Sequence, residues 1–123
     1  MQLSKDKALQ AWFEGFGMTA YPSTAVPDDT VFPWLTYEYI VGGFGEPDVA
    51  ITVNMWFRTE SESLPNQKAA EFREYIQNND LIECDEGLIW VKTGVPWCQS
   101  LTDETSPTVK RRYINVTLEY LTR

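Results

Sequence analysis

Leu81-Ile82-Glu83-Cys84-Asp85-Glu86-Gly87-Leu88-Ile89-Trp90-Val91, and further on Val109-Lys110-Arg111-Arg112-Tyr113-Ile114-Asn115-Val116-Thr117-Leu118-Glu119-Tyr120-Leu121, decide how this chain folds. In the first stretch, two apolar runs (81–83 and 88–91) flank Asp85-Glu86-Gly87, a short hairpin signal in which glycine supplies the left-handed position. The second alternates, with Ile114, Val116, Leu118 and Tyr120 on one face and Tyr113, Asn115, Thr117 and Glu119 on the other. That period of two predicts a strand beginning near Val109. Only Thr122 and Arg123 follow it, so the chain is expected to end inside the sheet with no tail behind it. Residues 93–107, with Pro96, Trp97, Cys98 and Asp103, read as a loop.

Upstream, Ser61 or Ser63 is placed to cap a helix running from about 64 to 78 or 79, with Pro65 in its first turn. Its buried stripe is Ala69, Phe72 and Ile76. Val49, Ile51, Val53, Met55 and Phe57 alternate with Ala50, Thr52, Asn54, Trp56 and Arg58, which predicts a long strand. Leu35, Tyr37, Tyr39 and Val41 alternate in the same way until Gly42, Gly43 and Gly45 end the run. The two strands should pair antiparallel, and the turn over 42–48 is long enough to project toward a neighbour. Residues 21–33, with Pro22, Pro27 and Pro33, read as an ordered loop. A first helix should run from a Ser4 cap to Gly15, with Leu9, Trp12, Phe13 and Phe16 on one face. The order implies an α+β domain: an antiparallel or mixed sheet of about four or five strands with two helices packed on one face.

The 123 residues suit one domain with one core. Five Trp, six Tyr and six Phe are more aromatic surface than such a core hides, which points to subunit or partner contacts. A net charge of −8 disfavours tight wrapping of nucleic acid and reads first as solubility. Cys84 and Cys98 suit a reducing compartment, and neither forms a CxxC pair. No signal peptide and no apolar run of membrane length is present, so no membrane partner is expected. The Asn115-Val116-Thr117 sequon falls within a predicted strand and reads as chance.

The chain has no histidine, which removes the usual general base and most catalytic zinc designs. Cys98 beside Trp97 is the one nucleophile worth naming, and Cys84 reads as a small core residue. The acidic pairs Asp28/Asp29, Glu46/Asp48, Glu60/Glu62, Asp85/Glu86 and Asp103/Glu104 all sit in turns or element ends, where carboxylates are solvated. Gly42-Gly43-Phe44-Gly45 lacks the lysine and serine of a phosphate loop. No cofactor, metal or catalytic site is therefore expected. Lys110-Arg111-Arg112 and Arg58 suit pairing with acidic residues of an adjacent subunit. Trp56, Trp97 and Tyr113 join them as expected interface residues, with Trp34 a further aromatic that is hard to place in one core.

The chain resembles a family of small minor capsid proteins, related to tail terminator or tail completion proteins, of tailed phages and prophages of Gram-positive bacteria. The resemblance runs nearly end to end. It rests on Trp12-Phe13, Gly17, Ala20-Tyr21 and Val26-Pro27, then Pro33-Trp34-Leu35-Thr36-Tyr37 and Val53-Asn54-Met55-Trp56-Phe57-Arg58. It continues through Gly87-Leu88-Ile89-Trp90-Val91-Lys92, Gly94, Pro96 and Arg111-Arg112-Tyr113-Ile114-Asn115-Val116 to Glu119. The chain departs from the family pattern at Trp97-Cys98-Gln99, where that pattern has Phe-Ala-Gln, and again over 103–107.

What the resemblance implies is a structural virion protein: a hexameric ring, monomeric when alone, that caps the tail tube and joins it to the head connector. Genomic DNA would pass through the ring without sequence-specific binding, along a lumen suited by acidic charge. The loops carrying Gly42, Gly43, Phe44, Gly45 and Glu46, and carrying Asp103 and Glu104, would touch tube or connector proteins. The protein would reside in the virion and, during assembly, in the host cytoplasm. The alternatives are a head-side connector or closure protein, a monomeric binding module and a small hydrolase using carboxylates and a metal.

Overall fold

In the computed structural model, which describes residues 2–102 and 105–123, the alternating runs become a single sheet. The elements are α1 (Lys5–Glu14), β1 (Thr19–Pro22), β2 (Trp34–Tyr37), β3 (Val49–Arg58), α2 (Ser63–Asn78), β4 (Leu81–Cys84), β5 (Gly87–Thr102) and β6 (Val109–Thr122). The six strands lie in the order β1-β2-β3-β6-β5-β4. β1 runs parallel to β2, and the other neighbours are antiparallel. The α+β class, the mixed sheet and the two helices agree with expectation, while the strand count exceeds it. The added strand, β1, is four residues long and ends on Pro22, too short to show a period. Proline is tolerated there because β1 is an edge.

β6 occupies the middle of the sheet, and its alternation sets both neighbours. Ile114 pairs with Val53 and Cys98, Val116 with Ile51 and Thr93, and Leu118 with Val49 and Val91. Side chains directly opposite in an antiparallel pair point to the same face. The apolar half of each strand therefore collects on one side. Ile51, Val53, Met55, Phe57, Ile89, Val91, Ile114, Val116 and Leu118 are all buried there. Both helices contribute to the same core, α1 through Ala8, Leu9, Trp12 and Phe13 and α2 through Ala69, Phe72 and Ile76.

Aromatic rings join helices to sheet. Phe13 stacks on Tyr37 at 4.3 Å and Trp12 meets Phe72 edge-on at 5.9 Å. The polar tips are satisfied as well: Tyr75 Oη donates to the Trp12 carbonyl at 2.6 Å, and Trp12 Nε1 donates to the Asn79 carbonyl at 2.7 Å. Ser4 does precede α1, but its hydroxyl donates to Asp6 Oδ1 (2.7 Å) instead of capping the helix.

Two boundaries differ from the expectation. β5 is 16 residues long and takes in much of the stretch read as a loop. Its register breaks between Thr93 and Cys98, where Gly94, Val95, Pro96 and Trp97 form a bulge and Asn115 Nδ2 donates to the Pro96 carbonyl at 2.7 Å. A bulge interrupts the period of two, so the second half of the strand carries no regular signal. β2 stops at Tyr37, and the apolar residues beyond it, Tyr39, Ile40 and Val41, are exposed.

Phe13 is fully buried under Tyr37 and Phe72. Phe13→Ala is expected to lower unfolding stability by about 3–5 kcal/mol in urea titrations, with an unchanged m-value.

Candidate functional site

The basic run at the start of β6 divides by strand alternation. Lys110 and Arg112 point into the helix-covered side, and Arg111 points to the other. Arg112 is only 1% exposed and is among the largest fully buried side chains. Its Nη2 donates to Glu62 Oε1 at 2.6 Å and to Asn66 Oδ1 at 2.8 Å, and Lys110 Nζ lies 3.7 Å from Glu62 Oε2. Arg112 Nε is buried without a hydrogen-bond partner. The acidic partner sought for these two cations on a neighbouring subunit is thus present within the chain, at the residue preceding α2. Trp97, expected in a loop, also turns toward the core: its ring lies 6.1 Å from Phe72, with the Arg73 guanidinium 5.8 Å from it.

Arg111, Trp56 and Tyr113 occupy the opposite face of the sheet and remain half-buried. Trp56 pairs with Arg111 on one side and Trp34 on the other, and stacks on Trp34 at 4.2 Å with the planes 12° apart. Tyr113 Oη accepts from Thr52 Oγ1 at 3.3 Å. Arg58 sits 4.9 Å from the Phe32 ring. Between these strands opens a cleft of about 190 Å³ lined by Trp56, Leu101, Thr102, Val109 and Arg111. Leu101 and Val109 were not singled out from sequence. Leu101 lies in the half of β5 hidden by the bulge, and Val109 read only as the start of a strand.

A second surface lies at the far end of β6. Glycines over 42–45 suggest a flexible projection, yet the segment is tied down. Tyr120 Oη donates to the Ile40 carbonyl and the Phe44 amide to the Thr122 carbonyl, both at 2.8 Å. Lys5 Nζ donates to the Gly42 carbonyl (3.3 Å) and the Arg123 carbonyl (2.8 Å). Glu46 Oε2 accepts from the Gly43 amide at 3.2 Å, closing a turn in which Gly45 has φ +84°. A Cβ on Gly42 would lie 2.9 Å from the Tyr120 ring, so the backbone approaches that ring as only glycine allows. The backbone is thereby fixed while the Phe44 side chain stays 77% exposed, next to exposed Ile40 and Val41. Asp103 and Glu104, expected in the other contact loop, lie outside the described residues.

Burial pushes the Cys98 thiol up, away from the thiolate that attack would need. Cys84 is buried and free. Among the described residues, no group of three or more His, Cys, Asp or Glu is placed to hold a metal ion. No protein-family model matches the chain, and no curated protein matches it.

The buried cation makes two outcomes measurable. Arg112→Glu replaces the buried guanidinium with a carboxylate facing half-exposed Glu62. It should cost about 3–5 kcal/mol in denaturant unfolding, and Arg112→Met markedly less. The Arg112 hydrogen bond, and then the charges of Arg112 and Lys110, hold the Glu62 carboxyl below its ordinary 4.5. A depressed carboxyl stabilises the fold above its unfolded pKa and ceases to do so as pH falls through the folded value. The urea midpoint of the wild type should therefore exceed that of Glu62→Gln at neutral pH, with the gap shrinking below pH 4.5.

Proposed function

We propose that this chain is a structural virion protein that caps the tail tube of a tailed phage and joins it to the head connector, as a ring around the DNA channel. The observation that carries the reading is the rigidly held 40–46 segment, which presents Phe44, Ile40 and Val41 to solvent. A fixed apolar loop on an acidic domain is a contact made in advance, because little ordering entropy remains to be lost on binding. The half-buried aromatic face around Trp34, Trp56 and Tyr113 supports the same reading, since Trp, Tyr and Arg concentrate at interface centres.

On this proposal the fold is tail-terminator-like and the protein has no catalytic role. Its partners are further copies of itself in a hexamer, the tail tube protein and a head completion protein, with genomic DNA passing through unread. Contact with neighbouring copies, tube or connector falls to the loops carrying Gly42, Gly43, Phe44, Gly45 and Glu46, and carrying Asp103 and Glu104. The protein is placed in the virion, and in the host cytoplasm before assembly.

Negative-stain imaging of the protein mixed with polymerised tail tubes tests this directly. A six-fold disc at one tube end is the expected result. Bare tubes, with discs forming on portal rings instead, would move the protein to the head side of the junction.

A further inference from the structure

We infer that copies of this chain dock head to tail, with Phe44 of one copy entering the cleft between Trp56, Leu101, Val109 and Arg111 of the next. Phe44 is held by its backbone and left bare by its side chain, so the fold presents it without using it. The cleft offers an indole wall, two aliphatic side chains and a volume of about 190 Å³. An apolar cavity of roughly 150 Å³ already takes up benzene, so a phenylalanine ring fits.

Charge selects the occupant. Glu46 is exposed two positions after Phe44, and Arg111 borders the cleft with Arg58 nearby on the same face. Neither arginine makes an ion pair among the described residues. A carboxylate arriving beside the phenylalanine would meet a guanidinium built to receive it. Both halves of the contact belong to this one chain, which is why the occupant is a second copy.

Distance forbids the contact within one molecule. Phe44 is bonded to Thr122 at the end of β6, whereas Val109 opens that strand. Fourteen residues of strand separate them, on the order of 45 Å. A two-fold pair that exchanges both contacts at once closes as a dimer and leaves neither loop nor cleft free. The head-to-tail arrangement inferred here uses one contact per interface and so repeats from copy to copy, closing into a ring or extending as a filament. Closure into the ring proposed above rests on that reading, but the contact itself does not.

Thiol trapping tests the contact in the full chain, with Cys98→Ser as background. Phe44→Cys and Leu101→Cys are made singly and together and oxidised with diamide at high protein concentration. The double variant should give a ladder of dimers, trimers and higher species, a mixture of the single variants dimers only, and either single variant alone no more than background. Strong dimers from Phe44→Cys alone, or a double variant that stops at dimers, would mean a two-fold contact and overturn the inference.

Sedimentation of untrapped protein guards against a geometry that cannot form the disulfide. Phe44→Ala or Arg111→Glu should weaken self-association at least about tenfold, and a mixture of Arg111→Glu with Glu46→Arg should recover it. Association unchanged in these variants, or absent from the wild type both alone and on tube ends, also overturns the inference. A ladder with bare tubes keeps the contact and sinks the tail reading. Capped tubes without a ladder, and with association indifferent to Phe44 and Arg111, do the reverse.

Discussion

β6 is bonded along both edges, to β3 and to β5, so its register admits no slip. Moving it by one residue would turn Ile114, Val116, Leu118 and Tyr120 out of the core and bring Tyr113, Asn115, Thr117 and Glu119 in. Both helices draw their packing surface from the face this alternation creates. Tyr37 reaches that face through Val53, and Phe13 of α1 stacks on it. The end of β6 then fixes the 40–46 segment through Tyr120 and Thr122. The start of β6 places Arg111 beside the cleft and Arg112 in the core.

Arg112 shows how the same alternation allocates charge. Three consecutive cations cannot share one face of a strand, so the period of two sends the middle one, Arg111, away from the helices. A buried guanidinium is costly unless its donors are used, and Glu62 and Asn66 at the start of α2 take up two of those bonds. The ion pair therefore links the first turn of α2 to the sheet at one defined place. Its loss would leave an unpaired charge in the core.

How much of this could be read in advance depended on periodicity. β3, β6 and α2 repeat cleanly for ten residues or more, and the apolar part of each buried face was legible residue by residue. β1 has four residues and no repeat, and the far half of β5 lies beyond a bulge at Gly94–Trp97 that resets the alternation. Hidden with that half was Leu101, and with it the cleft. The destination of Arg112 was missed for a different reason. Strand alternation carries it onto the face of Ile114 and Val116, but its charge argued for a partner on an adjacent subunit. Its partner Glu62 lies 50 positions earlier, at a separation no local pattern reports. The stiffness of the 40–46 turn likewise depends on Lys5, Tyr120 and Thr122, all distant in sequence.

On the reading proposed above, one side and one end of this sheet meet other subunits or partner proteins. Hydroxyl-radical footprinting of the chain free and bound to tube ends measures that most directly. Phe44, Trp56 and Tyr113 should react readily in the free chain and become protected in the assembly, while buried Phe13 and Phe72 stay unreactive throughout. Unchanged reactivity of Phe44 and Trp56 on assembly would contradict the account.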